Sequence, residues 1–147
     1  MKISFTLDRD EGIDPNDPIG DILLTDGNIV LSVESTYLDS WFDVLIDGYK
    51  SLQNKNKVTL EIVEEPEVIT FEPVLEGFKI SYGKQELFFS NLNEFYQSLL
   101  TSAKELLFQL HPDQENLTNF PLLTKIRHFI EESPTQFKTS QSLILVQ

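Results

Sequence analysis

The 147-residue chain has a formal net charge of −13 and contains no cysteine. The absence of cysteine excludes disulfide bonds, thiolate catalysis and cysteine-ligated zinc, and the negative charge disfavours nucleic acid and anionic membranes, which would be repelled. Residues 1–76 contain 17 acidic and 5 basic residues, a balance of −12, whereas residues 77–147 contain 7 and 6, a balance of −1. This asymmetry favours basic partners or cations but indicates no particular chemistry.

Length and hydropathy predict a single globular domain over residues 1–147. A chain of this size buries enough apolar surface to fold without disulfides or metal ions. No apolar run approaches the roughly 18 residues of a membrane helix, and residues 1–8 alternate in polarity without the apolar segment of a signal peptide. We therefore expect no membrane association, and the lack of cysteine favours a reducing cytoplasm.

The N-terminal third predicts three antiparallel strands. Residues 2–8 alternate between polar and apolar side chains, which is typical of a half-buried strand. Residues 8–18 form an acidic loop interrupted by two prolines. Asp26-Gly27 separates two apolar runs and predicts a two-residue type I′ turn. The residues expected to face the core after this turn are Ile29, Leu31 and Val33.

A helix is predicted for residues 37–53, where apolar side chains recur at spacings of three and four. Ser35 or Thr36 is expected to cap its start. Trp41 lies in the middle of the apolar stripe, so we expect it to be largely buried. Gly48 is unfavourable inside a helix and weakens the prediction at that point.

Residues 57–90 predict a meander of four strands. Alternating segments are separated by turns around Pro66, at residues 73–77 and at Gly83-Lys84, where glycine suits the first position of a tight hairpin. Consecutive hairpins require antiparallel pairing.

Two further helices are predicted in the C-terminal half. The first covers residues 92–110, with Asn91 as its cap. The second begins at Pro121, since proline suits the first helical position, and ends before Ser133-Pro134. Residues 134–147 form a tail whose apolar segment at 143–146 is interpreted as an added edge strand or an apolar terminus.

Together these elements predict a two-layer α+β fold. The expected architecture is a mainly antiparallel sheet of about six to seven hairpin-connected strands, with two to three helices on one face.

Three carboxylates at helical spacing are the candidate partner-binding site. Asp39, Asp43 and Asp47 lie at i, i+4 and i+8, and like charges at this spacing destabilise a helix by roughly 0.2–0.5 kcal/mol per pair. One interpretation is a solvated face, neutralised by basic residues elsewhere in the fold. The other is a docking surface for a basic protein.

The acidic loop is a weaker candidate, for calcium. A calcium loop needs six to eight oxygen ligands in a defined pattern. Counted from Asp8, Gly12 occupies position 5, Ile13 occupies the position that requires glycine, and Ile19 occupies that of the bidentate glutamate. We therefore predict no calcium site in this loop.

The remaining polar residues predict no chemistry. Glu64, Glu65 and Glu67 are expected in an exposed turn. His111 and His128 are isolated from each other and from any catalytic motif, so they predict neither a metal site nor a catalytic one. We expect no cofactor.

The preferred function is a non-enzymatic cytoplasmic protein with an acidic surface for a basic protein partner. In composition, though in no motif, the chain is similar to the bacterial immunity proteins, which neutralise basic toxins. The alternative is a small enzyme or ligand-binding domain with a site assembled from separated carboxylates. A deep pocket with converging carboxylates would favour the alternative, and a filled interior with a continuous acidic patch would favour the interaction protein. The sequence does not indicate an oligomeric state.

Overall fold

Seven strands and three helices follow one another in the predicted order in a computed structural model, which describes residues 1–10, 13–110 and 119–132. The α+β class is therefore confirmed. Residues 133–147, including the predicted apolar segment at 143–146, and His111 lie outside the described residues. The strands are β1 (Lys2–Leu7), β2 (Ile19–Thr25), β3 (Val30–Tyr37), β4 (Val58–Glu61), β5 (Val68–Val74), β6 (Gly77–Tyr82) and β7 (Gln85–Phe89), and the helices are α1 (Leu38–Gln53), α2 (Leu92–Leu110) and α3 (Pro121–Glu131).

The strands form two antiparallel sheets, ordered β1-β2-β3 and β4-β5-β6-β7, where the sequence predicted one. The free edges of β3 and β7 lie side by side, but side chains make the hydrogen bonds that join them. Gln85 Nε2 donates to the carbonyl oxygen of Val30 (2.9 Å), and the backbone N–H of Phe88 donates to Asp26 Oδ2 (3.0 Å). These side chains take the place of a backbone ladder, so the predicted single sheet is divided at this junction.

The turn at Asp26-Gly27 differs from the predicted type I′ turn. It is a four-residue loop in which Asp26 Oδ1 accepts hydrogen bonds from the N–H groups of Asn28 (2.8 Å) and Ile29 (2.7 Å). Gly27 has a φ of 99°, whereas a type I′ turn would require positive φ at Asp26 also. Because the loop is longer, Ile29 is 43% exposed, whereas Leu31 is fully buried and Val33 packs partly buried against the core, as expected. Burial opposes ionisation of Asp26, but its backbone hydrogen bonds outweigh burial and lower its pKa.

β5 runs through Pro73, so the turn predicted at residues 73–77 shortens to two residues. Pro73 pairs with Phe78 of β6, while β4 pairs with β5 no further than Phe71 on the other side. The N–H group that proline lacks therefore faces no partner strand, which is where a sheet tolerates proline. The two-residue turn at Gly83-Lys84 is confirmed.

The helices cover the apolar faces of the two sheets. Helix α1 contacts β2, β4 and β5, α2 contacts β1, and α3 packs against α1 and α2. The predicted bounds of α2 are confirmed, and Asn91 Oδ1 accepts a hydrogen bond from the N–H of Glu94 (3.1 Å). The predicted cap of α1 is wrong: Tyr37 occupies the N-cap position without a side-chain hydrogen bond. Among the described residues, no helix is both long and apolar enough to cross a membrane.

Thr36 is instead part of a hydrogen-bonded chain that joins α1 to the second sheet. Trp41 Nε1 donates to Thr36 Oγ1 (2.9 Å), and Thr36 Oγ1 donates to Glu65 Oε2 (2.6 Å). The hydroxyl of Tyr82 donates to Glu65 Oε1 (3.2 Å), and its ring lies 5.3 Å from that of Trp41. Burial, with the charge of Glu65 as the second cause, raises the pKa of Tyr82 to about 12. Glu65, predicted in an exposed turn, is therefore a partly buried anchor.

The expected burial of Trp41 is confirmed, since its side chain is 0% exposed. We predict that Trp41→Ala lowers the free energy of unfolding by about 3–5 kcal/mol because it leaves a cavity and removes the hydrogen bond to Thr36. Trp41→Phe keeps most of the apolar volume and should cost less. Urea denaturation measures both losses, and an alanine variant with wild-type stability would contradict this assignment.

Gly48 allows α1 to approach β5 closely. A Cβ atom built at this position would overlap the ring of Phe71, which is fully buried. The residue that weakened the helix prediction is thus required by the packing of the helix against the sheet.

We predict that Gly48→Ala lowers the free energy of unfolding by about 1–3 kcal/mol through overpacking. The sign of this change in stability is informative because helix propensity alone would favour alanine over glycine by about 1 kcal/mol inside a helix. Gln97→Ala, at an exposed position of α2, serves as the control. Equal or higher stability of Gly48→Ala would show that Phe71 can move away.

Candidate acidic binding site on helix α1

The three predicted site residues lie along one flank of α1, and all three are partly buried. Asp17, from the loop before β2, is close enough to Asp39 for its charge to affect that carboxyl. We call Asp17, Asp39, Asp43 and Asp47 the acidic flank. The flank brings the acidic loop and the helix face, which are separate in the sequence, to one surface.

A single lysine from α3 joins the C-terminal half of the acidic flank. Lys125 Nζ donates hydrogen bonds to Asp43 Oδ1 and to Asp47 Oδ1, the latter at 2.7 Å. Partial burial opposes the charge on Lys125, but the hydrogen bonds to the two carboxylates outweigh it and raise the pKa of the lysine. Two of the three predicted carboxylates are thus compensated within the fold.

Asp39 differs from the other two. Its Oδ1 accepts a hydrogen bond from the N–H of Ser40 (2.9 Å), and it lies in the first turn of α1, where the helix dipole favours an anion. Burial nevertheless raises its pKa to about 6, with smaller contributions from the charges of Asp17 and Asp43. In the part of the chain that the structure describes, no basic side chain forms an ion pair with Asp39 or Asp17.

The acidic flank therefore contains two pairs with the same spacing, and among the described residues only one of them holds a cation. Asp43 and Asp47 share Lys125, whereas Asp39 and Asp43 have the same i, i+4 spacing without an ammonium group between them. Sequence reasoning found the carboxylates but missed Lys125, which is 78 residues from Asp47. The only sequence signal was the polar position of Lys125 on an amphipathic helix.

The acidic loop surrounds a recess of about 410 Å³ lined in part by Asp8, Asp10, Asp14 and Asp17. The carboxylates of Asp8 and Asp14 accept hydrogen bonds from backbone N–H groups two residues ahead (3.0 and 2.9 Å). Among the described residues, which omit Glu11 and Gly12, no group of three or more acidic residues or histidines is placed to hold a metal ion. That this loop does not bind calcium stays a prediction.

A recess of about 610 Å³ lies between β1 and the first half of α2. Its two acidic residues already have partners. Asp26 accepts hydrogen bonds from the backbone, and Glu94 Oε1 lies 3.8 Å from the N-terminal amine of Met1. Ser98 and Ser102 also line it, and both hydrogen-bond to the backbone of Ile3. This groove lacks the free, converging carboxylates that a carboxylate enzyme requires.

The chain matches no family profile, no curated protein and no solved structure. Function is therefore inferred from the chemistry of the site itself.

We predict that Asp39→Asn stabilises the protein at high pH. The pKa of Asp39 lies near 6 in the folded state, above its ordinary value of 3.8, so folding favours the protonated form. The stability contributed by protonation is complete below about pH 4 and is lost as pH rises through 6. At pH 8 the asparagine variant should be more stable by about 1 kcal/mol, a value reduced for partial solvent exposure.

The advantage of Asp39→Asn should disappear near pH 4, as measured by urea denaturation across this pH range. Glu61→Gln removes one charge at an exposed position of β4 and should show no such pH-dependent gain. A constant difference between Asp39→Asn and the wild type at all pH values would contradict the raised pKa.

Proposed function

We propose that this protein is a non-enzymatic interaction protein of the cytoplasm that binds a basic protein partner through the acidic flank. The observation that carries the proposal is the incomplete compensation of the flank, where four carboxylates accompany one ammonium group, that of Lys125. Asp39 remains in a partly buried position next to two other carboxylates, at a cost that its raised pKa reflects.

A partner lysine or arginine would complete the pattern that Lys125 begins. Placed between Asp39 and Asp43, its cationic group would lie one helical turn, about 5.4 Å, from the position of Lys125. It would favour the ionised form of Asp39 and lower its pKa again. Charge complementarity of this kind mainly accelerates association and selects against acidic partners.

The interior of the molecule supports a binding role over a catalytic one. Among the described residues, every buried side-chain nitrogen and oxygen has a hydrogen-bond partner. The polar network of Trp41, Thr36 and Glu65 joins structural elements through hydrogen bonds. We propose in particular that the protein inhibits a basic enzyme or toxin, as the bacterial immunity proteins do, which it resembles in composition. The net charge of −13 argues against nucleic acid as the partner.

The test compares two variants that carry the same net charge. Asp17→Asn/Asp39→Asn removes the uncompensated carboxylates and leaves the contacts of Lys125 intact. Glu61→Gln/Glu64→Gln removes two exposed charges from the end of β4 and the turn that follows. Each variant has a net charge of −11 where the wild type has −13, so a general charge effect would be equal in both.

Wild-type protein and both variants are immobilised, and captured proteins from a native cell extract are identified at low salt. We expect a basic protein to be retained by the wild type and the glutamine variant but lost, through slower association, by the asparagine variant. Its affinity for the wild type should also fall as pH drops below 6, because protonated Asp39 has no charge. Equal retention by all three proteins, or retention that does not depend on salt, would overturn the proposal.

A further inference from the structure

A small aromatic recess lies where α1, α2 and α3 meet, beyond the C-terminal end of the acidic flank. It has a volume of about 120 Å³, and we call it the tyrosine recess. The rings of Tyr49 and Tyr96 lie 5.0 Å apart, and the ring of Phe129 stands edge-on to both, at 6.3 and 5.7 Å. The residues that line it are Tyr49, Lys50, Gln53, Tyr96, Phe129 and Glu132.

The two tyrosine hydroxyl groups are available to a ligand. Tyr96 is only 8% exposed, and Tyr49 is half-buried. Neither hydroxyl makes a hydrogen bond to any residue that the structure describes, although other phenolic and indole groups of the molecule, such as those of Tyr82 and Trp41, do. Among the described residues no buried side-chain oxygen is left without a partner, so these two hydroxyl oxygens still reach the open side of the recess and can accept hydrogen bonds from a ligand there.

We infer that the tyrosine recess receives an arginine side chain of a basic partner protein. The inference rests on the function proposed above and adds a second contact to it. A guanidinium group stacks on aromatic rings and presents five N–H donors in a planar fork. The acceptors at this site are the two tyrosine hydroxyls and the Glu132 carboxylate.

The electrostatics of the site favour a cation over an anion. Helices α1 and α3 both end here, at Gln53 and Glu131, and the C-terminal end of a helix carries a partial negative charge. Among the described residues that line the recess, Lys50 is the one positive charge. Its Nζ lies 3.7 Å from Glu132 Oε1, and the two side chains are 49% and 64% exposed. Such an exposed pair contributes little, so an incoming arginine can replace Lys50 as the partner of Glu132.

The probe for this site is N-acetyl-arginine amide, titrated into the full-length ¹⁵N-labelled protein and followed by NMR. We expect saturable shifts of the backbone amides around the recess, with a dissociation constant on the order of millimolar for so small a ligand. N-acetyl-citrulline amide has nearly the same shape without the charge and should cause no saturable shifts.

Three variants separate a cation site from its alternatives. Glu132→Gln should weaken binding of the arginine probe about threefold to tenfold, and Tyr96→Phe, which removes only a hydroxyl, should weaken it by a similar or smaller factor. Lys50→Gln should strengthen binding, because it removes the competing cation. Glu131→Gln is the matched control: it removes the same charge one residue away, where the side chain pairs with Arg127, and should leave affinity unchanged.

Other results would overturn the inference. Unchanged affinity in Glu132→Gln, weaker binding in Lys50→Gln, or recess shifts caused by acetate or phosphate would exclude an arginine site. The absence of saturable recess shifts with the arginine probe would do the same. Shifts confined to the acidic flank would exclude the recess while leaving the proposed function intact. A different result would refute only the role of the acidic flank. In that case arginine would bind in the recess, but the wild type and Asp17→Asn/Asp39→Asn would capture the basic protein equally well.

Discussion

The packing of α1 is the constraint on which the rest of the structure depends. This helix contacts three strands from both sheets and both other helices. Two local features make that position available. Gly48 lets the helix backbone approach Phe71, and Trp41 closes the space beside Tyr82 while its indole N–H reaches Thr36. Because the core is close-packed, a change at either position affects both sheets through the same helix.

The junction of the two sheets follows from this arrangement. With α1 lying across both, β3 and β7 are brought edge to edge. Asp26 and Gln85 provide side-chain hydrogen bonds where a ladder would otherwise form. Covering an edge in this way satisfies its backbone groups, at least in part, and protects it from pairing with other chains. The backbone hydrogen bonds that Asp26 accepts, including the one from Phe88 at this junction, also lower the pKa of Asp26.

The same helix presents its polar side to solvent, and the two proposed contacts lie along it. At one end, Asp39 and Asp17 form no ion pair with any basic side chain that the structure describes. In the middle, Lys125 compensates Asp43 and Asp47. At the other end, Tyr49 and Lys50 border the tyrosine recess. A basic partner that follows α1 would thus meet carboxylates first and an aromatic recess last, so electrostatic steering and a buried anchor would belong to one interface.

The sequence by itself determined the type and order of the elements, because hydrophobic periodicity and turn residues are local signals. It identified α2 to the residue, the burial of Trp41 and the acidic spacing of Asp39, Asp43 and Asp47. Tertiary structure alone decided the division into two sheets, the partial burial of Glu65 as a hydrogen-bonding anchor and the pairing of Lys125 with two of the three carboxylates. Those outcomes depend on contacts between residues far apart in the chain, such as the 82 residues that separate Asp43 from Lys125. The position of α3 set that contact, and nothing in the local pattern of either helix specifies it.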